Sequence, residues 1–359
     1  MKKILLALFM AAMVLPFIGC NKGGSSSKAS KIGVSMPTKD LQRWNQDGAN
    51  MKAQLEKAGY AVDLQYAAND IPTQISQIEN MVTGNCKVLV IAAIDGSALS
   101  NVLDSAKKKG IQVIAYDRLI MNTDAVSYYA TFDNYKVGTI QGDYLVEQLN
   151  LKGRSADDPV YMEFFTGDPG DNNINFFFGG AMDVLTPYLN SGVIKCLSGQ
   201  TAKAQAATLN WSTEEAQKRM ENLITANGYS PNGTKLDAVY CSNDSTANGV
   251  TTALLGAGYT PENFPIITGQ DCDKVAVKNM IAGTQAMSIF KDTRTLASKV
   301  VEMVDAIMKG SNPPVNDTKT YNNGTGVIPS FLCEPVFGTK DNYKTLLIDS
   351  GYYTEAELK

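Results

Sequence analysis

The sequence predicts an α/β protein made of two Rossmann-like parallel-sheet lobes. Three observations carry that reading. Short β-branched runs alternate with amphipathic stretches, the runs are continuously apolar, and the 359 residues suffice for about two domains at roughly 150 residues each. The runs are Ile32-Gly33-Val34, Val88–Ile91, Ile111–Ala115, Tyr161–Phe165, Ala238–Tyr240, Ile266–Thr268 and Met287–Phe290. Strands buried on both faces of a parallel sheet lose the polar–apolar alternation of half-exposed strands. Between the runs, Ile75, Ile78, Met81 and Val82, and later Leu296, Val300, Met303, Val304 and Ile307, recur at three- and four-residue spacing, which marks one face of a helix. Strands and helices in that rhythm form parallel sheets covered by helices. Lys107-Lys108-Lys109-Gly110 and Lys57-Ala58-Gly59 close two of these helices, with positive charge at the negative end of the dipole and glycine at the cap.

The N-terminus is a targeting segment. Lys2 and Lys3 precede an apolar run from Ile4 to Ile18, which ends in Phe17-Ile18-Gly19-Cys20. That run falls short of the ~20 residues a membrane span needs. A small residue before a cysteine resembles the bacterial lipoprotein signal, in which residues 1–19 are removed and Cys20 is lipidated. An uncleaved hydrophobic anchor is the alternative, and both place the rest of the chain outside the cytoplasm, tethered to a membrane. Residues 20–30, from Cys20 through the Gly/Ser-rich NKGGSSSKAS, read as a flexible tether.

Composition removes several function classes. The 32 basic and 36 acidic residues give a net charge of −4, which argues against a nucleic-acid binder that must displace phosphate counterions. Histidine is absent, so no His-based triad, zinc site or His acid–base catalyst can form. No GxGxxG follows a strand, and GxxxxGK[ST] and GxSxG do not occur. Asp271-Cys272-Asp273 lacks the later ligands and the glycine of a calcium loop. Cofactors and metals are therefore not expected. Cys86, Cys196, Cys241, Cys272 and Cys333 are odd in number and irregularly spaced, as buried core cysteines would be.

Ligands of open parallel sheets sit beyond the carboxyl ends of the strands. Polar side chains recur there: Arg43-Trp44 after the first strand, Asp117-Arg118 after the strand ending at Ala115, and Asp171-Asn172-Asn173 after Phe165. Ser242-Asn243-Asp244 follows Tyr240, Gly269-Gln270-Asp271 follows Ile267, and Lys291 follows Phe290. Carboxylates, amides, Arg and Lys together satisfy every hydroxyl of a sugar. The apolar face of a sugar ring packs on aromatic rings, which Trp44 and Trp211 can supply. Each turn also has a plainer reading, since the aspartate of Ser242-Asn243-Asp244 could be only a helix cap. Asp117, Asp171 and Asp271 could alternatively serve as the paired carboxylates of a glycosidase.

This ordered series, with Ile78-Glu79-Asn80-Met81, Phe132-Asp133-Asn134 and the tail Asp349-Ser350-Gly351-Tyr352-Tyr353, resembles the type I periplasmic sugar-binding proteins of ABC importers, in the multiple-sugar-binding and xylose-binding branch. The resemblance covers residues 31–359. It implies two lobes joined by a three-strand hinge with the sugar between them. The crossings would fall near Phe132–Asn134, near Lys291–Thr293 and in the 323–328 loop. Residues 31–133 plus 292–325 would form the first lobe, and 134–291 plus 326–359 the second. By the same resemblance Arg43, Trp44, Asp117 and Arg118 would contact sugar from the first lobe. Asp171, Asn173, Asn243, Asp271 and Lys291 would do so from the second, with Trp211 stacked on the ring. Where xylose-binding relatives carry an Arg after the Asp-Asn-Asn motif, Phe176-Phe177-Phe178 stands here, which favours a broader aldose pocket.

The resulting expectation is a monomeric, non-enzymatic binder of a monosaccharide such as glucose, galactose, xylose or arabinose. Its partners would be an ABC permease, the membrane through the lipid on Cys20, and a chemoreceptor or sensor kinase. A lipid-anchored glycosidase or sugar-modifying enzyme is the alternative.

Overall fold

The structure is a computed structural model that describes residues 29–359. The signal segment 1–19, Cys20 and most of the tether lie outside the described residues. No helix among the described residues is long and apolar enough to cross a membrane.

The first lobe opens with β1 (Lys31–Met36), α1 (Gln42–Lys57), β2 (Ala61–Tyr66), α2 (Ile71–Thr83), β3 (Val88–Ile91), α3 (Ser100–Lys108), β4 (Gln112–Tyr116) and β5 (Tyr128–Phe132). The second lobe continues with α4 (Asn134–Gln148), β6 (Val160–Phe165), α5 (Ile174–Asn190), β7 (Ile194–Lys195), α6 (Lys203–Ala206) and α7 (Thr213–Asn227). Then come β8 (Ala238–Cys241), α8 (Asp244–Gly256), β9 (Ile266–Ile267), α9 (Lys274–Ala282) and β10 (Met287–Phe290). The chain returns to the first lobe for α10 (Thr293–Met308) and β11 (Ser330–Cys333), and crosses once more into β12 (Val336–Thr339).

The first sheet runs β11-β5-β4-β3-β1-β2, all parallel, and the second β7-β6-β8-β9, also parallel. Antiparallel β10 and β12 extend the second sheet through the Gln270–Ile289 bridge. Every apolar run named from the sequence is a strand. Val88–Ile91 and Ala238–Cys241 are buried throughout, as strands covered on both faces must be. Ile78, Met81 and Val82 face the core from α2, and Leu296, Val300, Met303 and Val304 from α10.

One boundary differs from the expectation. Residues 326–333 belong to the first lobe, because β11 pairs with β5. The preceding loop is fastened there too: Asn323 Nδ2 donates to Ile120 O and Thr123 O at 3.1 and 2.7 Å. The third passage between lobes is therefore Glu334–Pro335, between β11 and β12. Among the described residues the five cysteines are unpaired; four are buried and Cys196 is half-buried.

Candidate functional site

All ten side chains singled out in the sequence line one cavity between the lobes: Arg43, Trp44, Asp117, Arg118, Asp171, Asn173, Trp211, Asn243, Asp271 and Lys291. The atom-free space among these groups, open solvent included, is about 390 Å³. Leu41, Phe177, Ser245, Gln270 and Asp273 complete the wall.

The turns after the strands are wound tightly to aim these groups. Asp117 follows β4 at φ 60°. Its N–H donates to Ala130 O at 2.7 Å, and Arg118 N–H closes a three-residue turn on Tyr116 O at 2.6 Å. Asp271 after β9 has φ 98°, and Trp211 has φ 55°. Left-handed backbone at a non-glycine residue costs on the order of 1–3 kcal/mol and gathers at functional positions. Three of the cavity residues carry it.

The charged groups form a network that crosses the cleft. Arg43, in the first turn of α1, donates from Nε to Asp47 at 2.9 Å, from Nη2 to Asp117, and from Nη1 to Asp271 of the second lobe at 3.3 Å. Lys291 Nζ lies 3.0 Å from the same Asp271 oxygen. Arg118 donates to Ala93 O and Ile94 O at 3.1 and 3.3 Å. Its Nε is 3.1 Å from Asp171 Oδ2 but off the line of a hydrogen bond. The backbone adds a tie from Gly96 N–H to Gly170 O at 3.1 Å.

Three cations thus face Asp117, Asp171 and Asp271, with Asp273 a fourth acid. Burial opposes ionisation of Asp117, but Arg43, Lys291 and Arg118 together hold its carboxyl below the usual range. Burial pushes Asp171 up despite Arg118. Burial first, then the charge of Asp271, pushes Asp273 up to about 7. Its neighbour Asp244 lies well above the ordinary value, through burial and the charges of Asp273 and Asp271.

The two tryptophans act as walls and as core. Trp44 is buried in the first-lobe core, with the guanidiniums of Arg43 and Arg118 at 5.1 and 5.0 Å from its ring, within cation–π range. Trp211 meets Phe177 edge-on at 6.3 Å. Its indole lies against the backbone of Gly167, where a Cβ would collide with it. Of the Phe176–Phe178 run, only Phe177 reaches the cavity wall; Phe176 packs on Tyr321 at 4.8 Å, and Phe178 enters the second-lobe core.

Two amides have roles beyond the cavity. Asn243, not Asp244, caps α8, its Oδ1 accepting from Thr246 N–H at 3.0 Å, and it lines the cavity as well; Asp244 instead accepts from Gln285 and Ser288. Asn173 Nδ2 donates to Asp117 O at 2.8 Å, and its Oδ1 accepts from Tyr129 and Asn134, each at 3.0 Å. It therefore stitches the lobes together and keeps one N–H for the cavity.

Leu41, Phe177, Ser245, Gln270 and Asp273 were not singled out as site residues from the sequence. Asp273 occupies the N-cap position of α9 without making the cap bond; its side chain goes to the cavity wall instead. Among the described residues, four buried polar atoms on the wall make no hydrogen bond: Arg118 Nε, Trp211 Nε1, Gln270 Oε1 and Asp273 Oδ1. Buried polar groups are seldom left so. A mixed set of donors and acceptors, charges near balance and two indoles can hold a neutral ligand rich in hydroxyls and with an apolar face.

Two parallel-sheet lobes, three passages of chain and a polar cavity at the strand ends define a two-lobed binding protein. The chain belongs to the periplasmic binding protein family, whose domain profile matches residues 32–312. It is 48% identical over 98% of its length to the multiple sugar-binding periplasmic receptor ChvE of Rhizobium radiobacter, covering 97% of that protein. It is 38% identical to the D-xylose-binding periplasmic protein of Escherichia coli, covering 92% of this chain and 93% of that one. A solved ABC transporter solute binding protein from Clostridium phytofermentans with bound β-D-glucose is 65% identical. It superposes with a TM-score of 0.89 over 92% of this chain and 100% of its own.

Proposed function

We propose that this chain is an extracytoplasmic solute-binding protein that captures a neutral aldose of the D-glucose type between its lobes and delivers it to an ABC permease. The observation that carries the reading is the cavity itself. Arg43, Arg118 and Lys291 are already engaged by Asp117, Asp171, Asp271 and Asp47, and burial pushes Asp273 towards its neutral form, so no cation is left over for an anionic ligand. The unpartnered donors and acceptors suit hydroxyls. The 65%-identical structure with bound β-D-glucose supports the choice of sugar. Because residues of both lobes face the cavity, a ligand gains contacts on closure and shifts the population toward the closed form.

Calorimetry with D-glucose, D-galactose, D-xylose and L-arabinose tests this reading. Saturable heats with D-glucose are expected, together with a rise in melting temperature. No response to any aldose, or turnover of labelled glycosides, overturns it. Lipidation at Cys20 would hold the binder near its permease and raise its effective concentration there. A chain exported on a cleavable secretory signal in place of residues 1–20 should then leave the membrane fraction with its sugar binding intact. Signalling to a chemoreceptor or sensor kinase would use the same closed form.

A further inference from the structure

The C-terminal segment does not line the cavity, yet it bridges the seam between the lobes beside it. After the helical turn Lys344–Asp349, Gly351 takes φ 70° and the chain doubles back, so that the N–H groups of Tyr352 and Tyr353 donate to Leu347 O at 3.0 and 2.9 Å. The tail is anchored to the second lobe. Leu347, Tyr353 and Leu358 pack with Cys272, Val277, Met280 and Phe290, and Lys274 pairs with Glu357 at 2.7 Å.

From that anchorage the buried Tyr353 hydroxyl reaches the first lobe. It accepts from Gln42 Nε2 at 2.6 Å and from Gln46 Nε2 at 3.2 Å, both on α1, and donates to Cys272 O at 3.0 Å in the second lobe. Two acceptances and one donation use the full capacity of a phenol. Gln42 is gripped at its other end as well, Oε1 accepting from Lys274 N–H at 3.1 Å. The clasp lies next to the cavity on both sides, since Gln42 precedes Arg43 and Cys272 follows Asp271. Parting Arg43 from Asp271 would therefore part Tyr353 from the two glutamines.

We propose that Tyr353 is a closure latch, a positioning residue that ties α1 to the Cys272 carbonyl and sets how long the lobes stay shut without touching the ligand. Its sugar-release readout rests on the proposed function; its seam-opening readout does not. A net protein hydrogen bond contributes about 0.5–1.5 kcal/mol, or roughly two- to tenfold in an equilibrium.

Hydrogen exchange at the Lys274 amide, whose acceptor is Gln42 across the seam, measures opening in the whole protein with and without D-glucose. In Tyr353→Phe this exchange should rise roughly two- to tenfold in both conditions, while amides of β3 and β8 keep their wild-type rates. D-glucose dissociation should accelerate by a similar factor, with the D-glucose to D-xylose affinity ratio unchanged. Gln42→Ala, which removes the Lys274 amide's own acceptor, is read by D-glucose dissociation instead; that should accelerate by a similar factor, and the double variant should add little to either single one. Wild-type exchange at Lys274 in Tyr353→Phe, acceleration spread over the core amides, a changed sugar preference or full additivity would each overturn the latch. A wild-type chain that binds no aldose would instead overturn the sugar reading, and the exchange at Lys274 would still decide the latch.

Discussion

Arg43 Nη1 stands 3.3 Å from Asp271 Oδ1, although 228 residues and the boundary between two lobes separate them. The same guanidinium holds Asp47 and Asp117 within its own lobe, so one first-turn side chain of α1 organises acids from both halves of the cavity. A planar, five-donor group can serve three carboxylates at fixed angles, which a lysine cannot.

Replacing Asp271 by alanine removes the carboxylate shared by Arg43 and Lys291 and takes from buried Lys291 the acid 3.0 Å from its Nζ, while Arg43 keeps Asp47 and Asp117. D-glucose affinity should fall by about 1–3 kcal/mol or more, read by titration calorimetry. Wild-type affinity in Asp271→Ala would remove this residue from ligand recognition.

Gly167 and Trp211 give a paired test of aromatic stacking. Trp211→Ala should weaken D-glucose binding and abolish most of the sugar-induced fluorescence change. Gly167→Ala keeps the indole but pushes it off its seat, because the new methyl would occupy the ring's position. It should weaken binding in the same direction. Unchanged binding in both variants would show that the indole does not stack on the ligand.

Asp273 makes stability depend on pH in a definite direction. Its carboxyl is pushed up to about 7 in the fold, first by burial and then by Asp271, against Arg43 and Lys291; the unfolded value is about 3.9. Between those values the folded chain holds a proton that the unfolded chain has released. The stabilisation is complete below about pH 4 and is lost as pH rises through 7. Asp273→Asn, which stays neutral, should flatten the fall in melting temperature between pH 5 and 8. An identical slope in the variant would show that Asp273 is ionised throughout.

Arg118 holds two carbonyls after β3, lies beside Asp171 and covers Trp44. Arg118→Lys keeps the charge but loses the fork. Both melting temperature and D-glucose affinity should drop, and a lysine variant matching wild type in both would refute the fork's role.

The strand ends were readable from the sequence because a doubly covered parallel strand must be continuously apolar and must stop where polar residues begin. That is how Asp117, Asp171, Asn243, Asp271 and Lys291 could be named. The edge strand β2 escaped the same criterion. Ala61–Tyr66 pairs only with β1 and is half-exposed, so its sequence alternates. Asp273 escaped because an aspartate before a helix normally reads as a cap. Only the left-handed turn at Asp271 and Cys272 sends it elsewhere, and sequence spacing does not encode that dihedral. The third passage was misplaced because the 323–328 loop is held to backbone carbonyls by the Asn323 amide and the Thr325 hydroxyl, contacts that no hydrophobic period announces.

The left-handed aspartates have a consequence for engineering. A campaign that put glycine at positions 117 and 271 to relax the dihedral would strip buried Arg43 and Lys291 of carboxylate partners, a loss of roughly 3–5 kcal/mol against the roughly 1–3 kcal/mol of strain relieved. At these two codons the backbone cannot be relaxed without unpairing a buried charge.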